Sequence, residues 1–175
     1  PIEAQYHTPL FPDSQLRTEG NFDYLGDKAH RYALQKVYIS LSYKRDMRPG
    51  DLLVIYRKGT MAGRKAYESV VSTICVVDEV RYNFSNKEDY LKYCENRTVF
   101  SQETLNQLWE KHGEKLLVVK FIFIKSLTKR ITLGELWSGG IIPQYSGPRP
   151  FDHIPDADFD TILAKSQTKI HFERQ

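Results

Sequence analysis

Basic and aromatic residues cluster between residues 38 and 65, and several of them are neighbours in the chain. A nucleic-acid-binding surface needs cations that meet phosphates and flat side chains on which bases stack. The pattern predicts such a surface, and the alternative is a set of solvated loop charges and core tyrosines. The candidate residues are Tyr38, Ser40, Tyr43, Lys44, Arg45, Tyr56, Arg57, Lys58, Arg64 and Lys65.

A second group of candidates lies in the segment 137–149, which is rich in glycine, proline and polar residues. Loops of this kind often carry function on a rigid scaffold. In such a loop an aromatic ring can stack on a base, an amide can bind a base edge and a guanidinium can bind a phosphate. Trp137 follows Leu133 by four positions, which is equally consistent with a core position. The residues expected to wall a pocket are Trp137, Gln144, Tyr145 and Arg149.

Arg97 stands shortly before a predicted helix. An arginine in this position can bind an anion or a buried carboxylate. It can also hold the start of the helix against the sheet, and we favour this structural role.

The sequence contains no pattern that predicts catalysis or metal binding. It has no HxxxH motif, no Cys/His metal spacing, no G-x-S-x-G, no P-loop and no G-x-G-x-x-G. We therefore expect a non-catalytic protein without a metal or a cofactor. The five histidines are scattered: His7, His30, His112, His153 and His171.

Length and composition predict one soluble domain. The chain has 175 residues, 41% of them hydrophobic, which is enough for a core. No apolar run approaches the ~20 residues that cross a bilayer, and no signal peptide is visible. The two cysteines lack a CxxC spacing, which predicts reduced thiols and a cytoplasmic location. The net charge of +3 permits nucleic-acid binding, and the start at Pro1 predicts a processed product or a piece of a longer chain.

Four strands are predicted in the middle of the chain. Segments 37–41, 51–56, 67–80 and 116–124 carry the β-branched, apolar and aromatic residues that are typical of strands. Arg48-Pro49-Gly50-Asp51 is typical of a type II turn, because proline fixes the first central φ and glycine accepts the positive second one. No helix separates the first three strands, so antiparallel pairing in a curved sheet or small barrel is predicted.

Helices are predicted to flank these strands. A capping box begins at Ser85, and Ser101 caps a helix that ends before Gly113. Residues 131–137 predict a short helix, and a last helix follows Pro155 with Phe159, Ile162 and Leu163 on one side.

The first 35 residues are predicted to form an irregular segment packed on the domain. Pro9, Pro12 and two glycines interrupt regular structure there, whereas several aromatic residues favour packing. Within and just beyond this segment, residues 28–36 predict a short helix or the lead into the first strand.

The segment Met47–Tyr56, with its Gly50-Asp51 turn and following strand, resembles the PUA-like superfamily of PUA, ASCH, EVE and YTH domains. The likeness extends to the Val-rich stretch 69–80, to 96–101, to 116–124 and to 151–154, and it covers roughly residues 36–165. It implies an α+β fold over residues 36–175, with a curved, mostly antiparallel β-barrel and short flanking helices. In such folds the edge formed by the first two strands lines the binding cleft.

The chain also resembles the PUA-like region at the C-terminal end of some bacterial acetyltransferase-type proteins, which implies a covalently fused enzyme domain. The expected function is non-catalytic nucleic-acid binding, to RNA or a modified base in a strand rather than to an unmodified duplex. The alternative is a ligand-sensing or protein-docking regulatory domain attached to an enzyme.

The alternation of the first strand predicts which of its residues face the ligand. Tyr38 and Ser40 share one face, while Val37, Ile39 and Leu41 share the other and have the stronger claim on the core. We expect the Gly50-Asp51 turn and the segment 137–149 to close over Tyr38 and Ser40.

Overall fold

The computed structural model describes residues 1–16, 30 and 33–170. In these residues four strands and six α-helices follow one another, with two short 3-10 turns at Pro12–Ser14 and Gly113–Lys115. The strands are β1 (Gln35–Ser40), β2 (Leu52–Arg57), β3 (Val70–Arg81) and β4 (Leu117–Thr132). The helices are α1 (Ala4–Leu10), α2 (Lys65–Glu68), α3 (Lys87–Cys94), α4 (Gln102–His112), α5 (Leu133–Ser138) and α6 (Asp156–Lys165).

The four strands form one antiparallel sheet in the order β1-β4-β3-β2. Val37 lies opposite Lys120 of β4, and Val76 of β3 lies between Ile122 of β4 and Leu52 of β2. The predicted α+β class and the antiparallel pairing are thus confirmed. Among the described residues β1 and β2 form the two edges of the sheet, which is not closed into a barrel.

The longest strands differ from their predicted bounds. β4 continues through a polar stretch to Thr132, because residues after Lys125 still pair with the first residues of β3. The expected strand 67–80 is wrong at its start, since Tyr67 and Glu68 belong to the short helix α2. The turn before β2 is confirmed: Gly50 has φ +95°, and the Asp51 N–H donates to the Arg48 carbonyl at 3.1 Å.

Local capping explains the helix boundaries. The capping box predicted to begin at Ser85 is wrong by one residue. The residue that caps α3 is Asn86, whose side chain accepts the Asp89 N–H at 2.9 Å. Ser101 caps α4 as predicted, and this helix ends at Gly113. The helix predicted over 131–137 begins at Leu133, where Thr132 and Glu135 form a capping box.

The N-terminal residues pack across the sheet. An irregular conformation is wrong for residues 4–10, which form α1. Ile2 makes a parallel bridge to Arg57, and its N–H donates to the Tyr56 carbonyl at 2.7 Å. Phe11 is buried against Phe121 of β4. The prediction for residues 28–36 lies largely outside the described residues, and Gln35 and Lys36 belong to β1.

Apolar clusters cover the sheet on several sides. Ile74 and Ile131 pack with Leu136 and Ile162, whereas Val37 and Val118 pack with α3 and α4. A further cluster joins Ile2, Leu10 and Phe11 to Ile55, Cys75 and Phe121. The core position expected for Leu41 is wrong, since this side chain follows the end of β1 and is 45% exposed. None of the described helices has the length and apolar character needed to cross a membrane.

Candidate binding cavity

A cavity of about 350 Å³ opens between the N-terminal segment, β1, the end of β2 and residues 148–150. This volume lies within the range of small-ligand sites, which begins near 300 Å³. Three of the predicted site residues line it, namely Tyr38, Lys58 and Arg149. The other lining residues are Pro1, Ile2, Glu3, Tyr6, Leu10, Ile39, Val99, Phe100, Pro148 and Pro150.

Tyr38 forms part of the wall where β1 passes beneath the N-terminal segment. Its hydroxyl donates to the Pro1 carbonyl at 3.1 Å, and its ring meets the edge of Phe151 with centroids 5.7 Å apart. Burial, and secondarily the charge of Glu3, raises the pKa of the phenol, so the hydroxyl remains a donor at neutral pH. Phe151 packs against this ring, and Pro148 and Arg149 of the segment 137–149 line the same cavity as Tyr38.

Two basic residues of the lining are solvent-exposed. Lys58 follows the last residue of β2, and its Nζ lies 2.7 Å from Oε1 of Glu3. Arg149 precedes Pro150, and its backbone N–H donates to Oδ2 of Asp152 at 3.2 Å. Exposed cations beside an apolar wall can meet phosphates while the wall receives a base.

Lys44 lies close to the same segment. Its Nζ is 2.5 Å from Oδ1 of Asp152 and donates to the Phe151 carbonyl at 3.3 Å. The hydrogen bond from Lys44, followed by that from the Arg149 N–H, holds the pKa of Asp152 below its ordinary value. This carboxylate therefore stays ionised and links two of the predicted basic residues.

The sequence prediction missed the aromatic residues on the other side of the cavity. Tyr6 of α1 meets Phe100 edge-on, with ring centroids 5.0 Å apart. The spacing of Tyr6 and Leu10 is a helical signal, but Pro9 argued for irregular structure. Phe151 lies in the segment 151–154, and its ring position depends on its packing against Tyr38 of β1.

Two predicted site residues, Tyr56 and Arg57, are buried and do not line the cavity. Tyr56 belongs to the core cluster of β2, β3 and α5, where burial raises the pKa of its phenol. Arg57 is only 7% exposed, and its Nη1 donates to the Glu68 carbonyl at 3.5 Å. Ile2 pairs with Arg57 and covers this edge of β2, which no local pattern in the sequence reveals.

Other candidates lie outside the cavity lining. The Trp137 Nε1–H donates to the Ser146 carbonyl at 2.7 Å, and the indole packs against the core and the ring of Tyr145, which is 84% exposed. Arg97 holds β1, since its Nε donates to Oε1 of Gln35 at 2.5 Å and its carbonyl accepts the Val37 N–H. These contacts are those of the structural role favoured for Arg97.

The remaining candidates occupy the end of β1, loops and the short helix α2. The Ser40 hydroxyl accepts the Ser42 N–H at 3.0 Å, and the Arg45 guanidinium lies 5.2 Å from the centre of the Tyr82 ring. None of the remaining residues lines the cavity; the exposed ones are Tyr43, Arg64, Lys65 and Gln144.

A buried hydrogen bond joins a histidine of α1 to a serine of β3. Nε2 of His7 is 2.7 Å from the Ser72 hydroxyl, and both side chains are fully buried. Burial, followed by the charges of Arg57 and Arg130, lowers the pKa of His7 to about 3. This hydrogen bond connects α1 to β3, and neither residue lines the cavity.

In the described part of the chain, no group of three or more His, Cys, Asp or Glu side chains is arranged to hold a metal ion. No family model, curated protein or solved structure matches the chain. We therefore infer the function from the cavity and its charges.

Proposed function

We propose that this chain is a non-catalytic nucleic-acid-binding module that takes RNA, or a modified base in a strand, at the cavity beside Tyr38. The observation that carries the proposal is one cavity that combines an aromatic wall with the exposed cations Lys58 and Arg149. Stacking on an aromatic side chain contributes ~1–3 kcal/mol per base, and cations add sequence-independent attraction to phosphates.

The shape of the site favours a single strand over a duplex. Tyr6, Tyr38 and Phe100 line a recess and do not form a flat surface. A base must leave its stack to enter a recess, and an unpaired base does so at the smallest cost. A strand can then place its backbone at the rim, where Lys58 and Arg149 lie.

The proposal extends to the fold family and the setting of the protein. The antiparallel sheet with flanking helices supports a PUA-like domain, in agreement with the resemblance of the Gly50-Asp51 turn and its neighbouring strands. We propose a cytoplasmic location and a fused enzyme domain, for which the module would select the target.

A second candidate function is the binding of a small molecule by a regulatory domain. It is favoured by the apolar side chains Ile2, Leu10, Ile39 and Val99, which contribute much of the lining. Ligand sites of this kind are mostly apolar with a few polar groups that fix orientation.

Fluorescence anisotropy with a short, mixed-sequence single-stranded RNA at several salt concentrations separates the two functions. We expect binding that weakens with salt, with a log–log slope of ~0.7 per phosphate contacted, and weaker binding of the same sequence as a duplex. Saturable, salt-independent binding of a nucleoside monophosphate without binding of the strand would support the second function. Equal affinity for single strand and duplex would contradict the recessed site.

A further inference from the structure

Two lysine side chains around the cavity each pair with a carboxylate from another segment. Nζ of Lys58 lies 2.7 Å from Oε1 of Glu3, and Nζ of Lys44 lies 2.5 Å from Oδ1 of Asp152. The other oxygen of Asp152 accepts the Arg149 N–H at 3.2 Å. Asp152 thus uses both oxygens on two separate donors.

One ion pair lies in the cavity lining, and the other lies next to it through Arg149. Glu3 and Lys58 line the cavity, as does Arg149. Asp152 follows Phe151, whose ring packs on Tyr38 in the cavity wall. The charged side chains are 42–55% exposed, so an incoming anion can reach both pairs from solvent.

We propose that Asp152 and Glu3 occupy, in the free protein, the positions that phosphates of a bound single-stranded RNA take. This inference rests on the proposed function. A phosphodiester has two non-bridging oxygens, so it can accept from Nζ of Lys44 and from the N–H of Arg149 as Asp152 does. Binding then exchanges each carboxylate for a phosphate, and the internal carboxylates set the affinity threshold of the site.

The exposure of the pairs determines the size of the effect. Ion pairs open to solvent are weak, so the carboxylates compete with the strand but do not block it. Removal of one competing carboxylate is expected to raise the affinity about twofold to fivefold. This gain in RNA affinity must disappear when the lysine that pairs with the removed carboxylate is replaced.

The experiment compares Asp152→Asn with Glu110→Gln by anisotropy with the single-stranded RNA probe described above. Glu110 is a matched control, because it is an exposed carboxylate whose Oε1 pairs with Nζ of Lys87 at 3.1 Å, and neither residue lines the cavity. We expect Asp152→Asn alone to raise the affinity, and Lys44→Ala to abolish that gain in the double variant. A thermal melt of each variant verifies that it is folded.

Glu3→Gln gives an independent test at the other pair, with Lys58→Ala as the background that removes its gain. The inference is overturned if Glu110→Gln gives the same gain, or if the gain of Asp152→Asn persists without Lys44. It is also overturned, with the proposed function intact, if the wild type binds RNA through Lys58 and Arg149 while Asp152→Asn changes nothing. Absence of RNA binding by the wild type overturns the proposed function and this inference together.

Discussion

Lowering the pH from 6.5 to 4.5 is expected to reduce the free energy of unfolding by about 2 kcal/mol through His7. Burial holds the pKa of this imidazole near 3 in the folded protein, against 6.5 for the exposed group. The unfolded chain therefore takes up a proton that the folded protein does not. The stabilising contribution is complete above pH 6.5 and is lost as the pH falls towards 3.

The magnitude follows from the proton uptake across this window. A full proton over two pH units would amount to about 2.7 kcal/mol, and the value is smaller because an unfolded histidine is only half protonated at pH 6.5. Carboxylates with lowered pKa values, such as Asp152 and Glu135, lose their contribution mainly below pH 4.5. The difference between the wild type and His7→Gln over this window therefore isolates the histidine.

Urea unfolding at both pH values, followed by the fluorescence of Trp109 and Trp137, measures this difference. His7→Gln keeps a polar side chain near Ser72 but cannot titrate, so its stability should change far less between the two pH values. His153→Gln is the matched substitution at an exposed side chain, since His153 is 79% exposed. An equal loss of stability in the wild type and His7→Gln would refute the burial of a neutral His7 between α1 and β3.

Three further variants test other parts of the account. Tyr38→Ala should weaken binding of single-stranded RNA about tenfold or more in anisotropy titrations, whereas Tyr38→Phe keeps the stacking ring and most of the affinity. Arg57→Ala should lower the free energy of unfolding in urea by about 2 kcal/mol, because the buried side chain and its hydrogen bond to the Glu68 carbonyl are removed. The folded fraction of this variant should bind RNA normally. Thr132→Ala should cost about 1 kcal/mol and lower the Tm, because the capping box of α5 is lost.

The elements of the fold could be predicted because their signals are local. Alternation marks β1, the Pro49-Gly50 pair marks the turn, and Ser101 marks the start of α4. The length of β4 could not be predicted in this way, since its polar second half is extended only because β3 pairs with it.

The candidate site was predictable in part for the same reason. Tyr38, Lys58 and Arg149 follow from residue type and strand position, and the structure brings them to one cavity. Arg57 is next to Lys58 in sequence, yet it is buried because Ile2, more than fifty residues away, pairs with it. Contacts of that range leave no periodic pattern in the chain.

The most direct test of the central claim is the salt dependence of RNA binding by the double variant Lys58→Ala, Arg149→Ala. We predict weaker binding than in the wild type. The slope of log affinity against log salt concentration should be flatter by about 1.4, which corresponds to two single-strand phosphates at ~0.7 each. Lys92→Ala with Lys111→Ala removes the same charge from exposed positions on α3 and α4, and should leave the slope unchanged. A slope for Lys58→Ala, Arg149→Ala equal to that of the wild type would contradict the claim that RNA binds at this cavity.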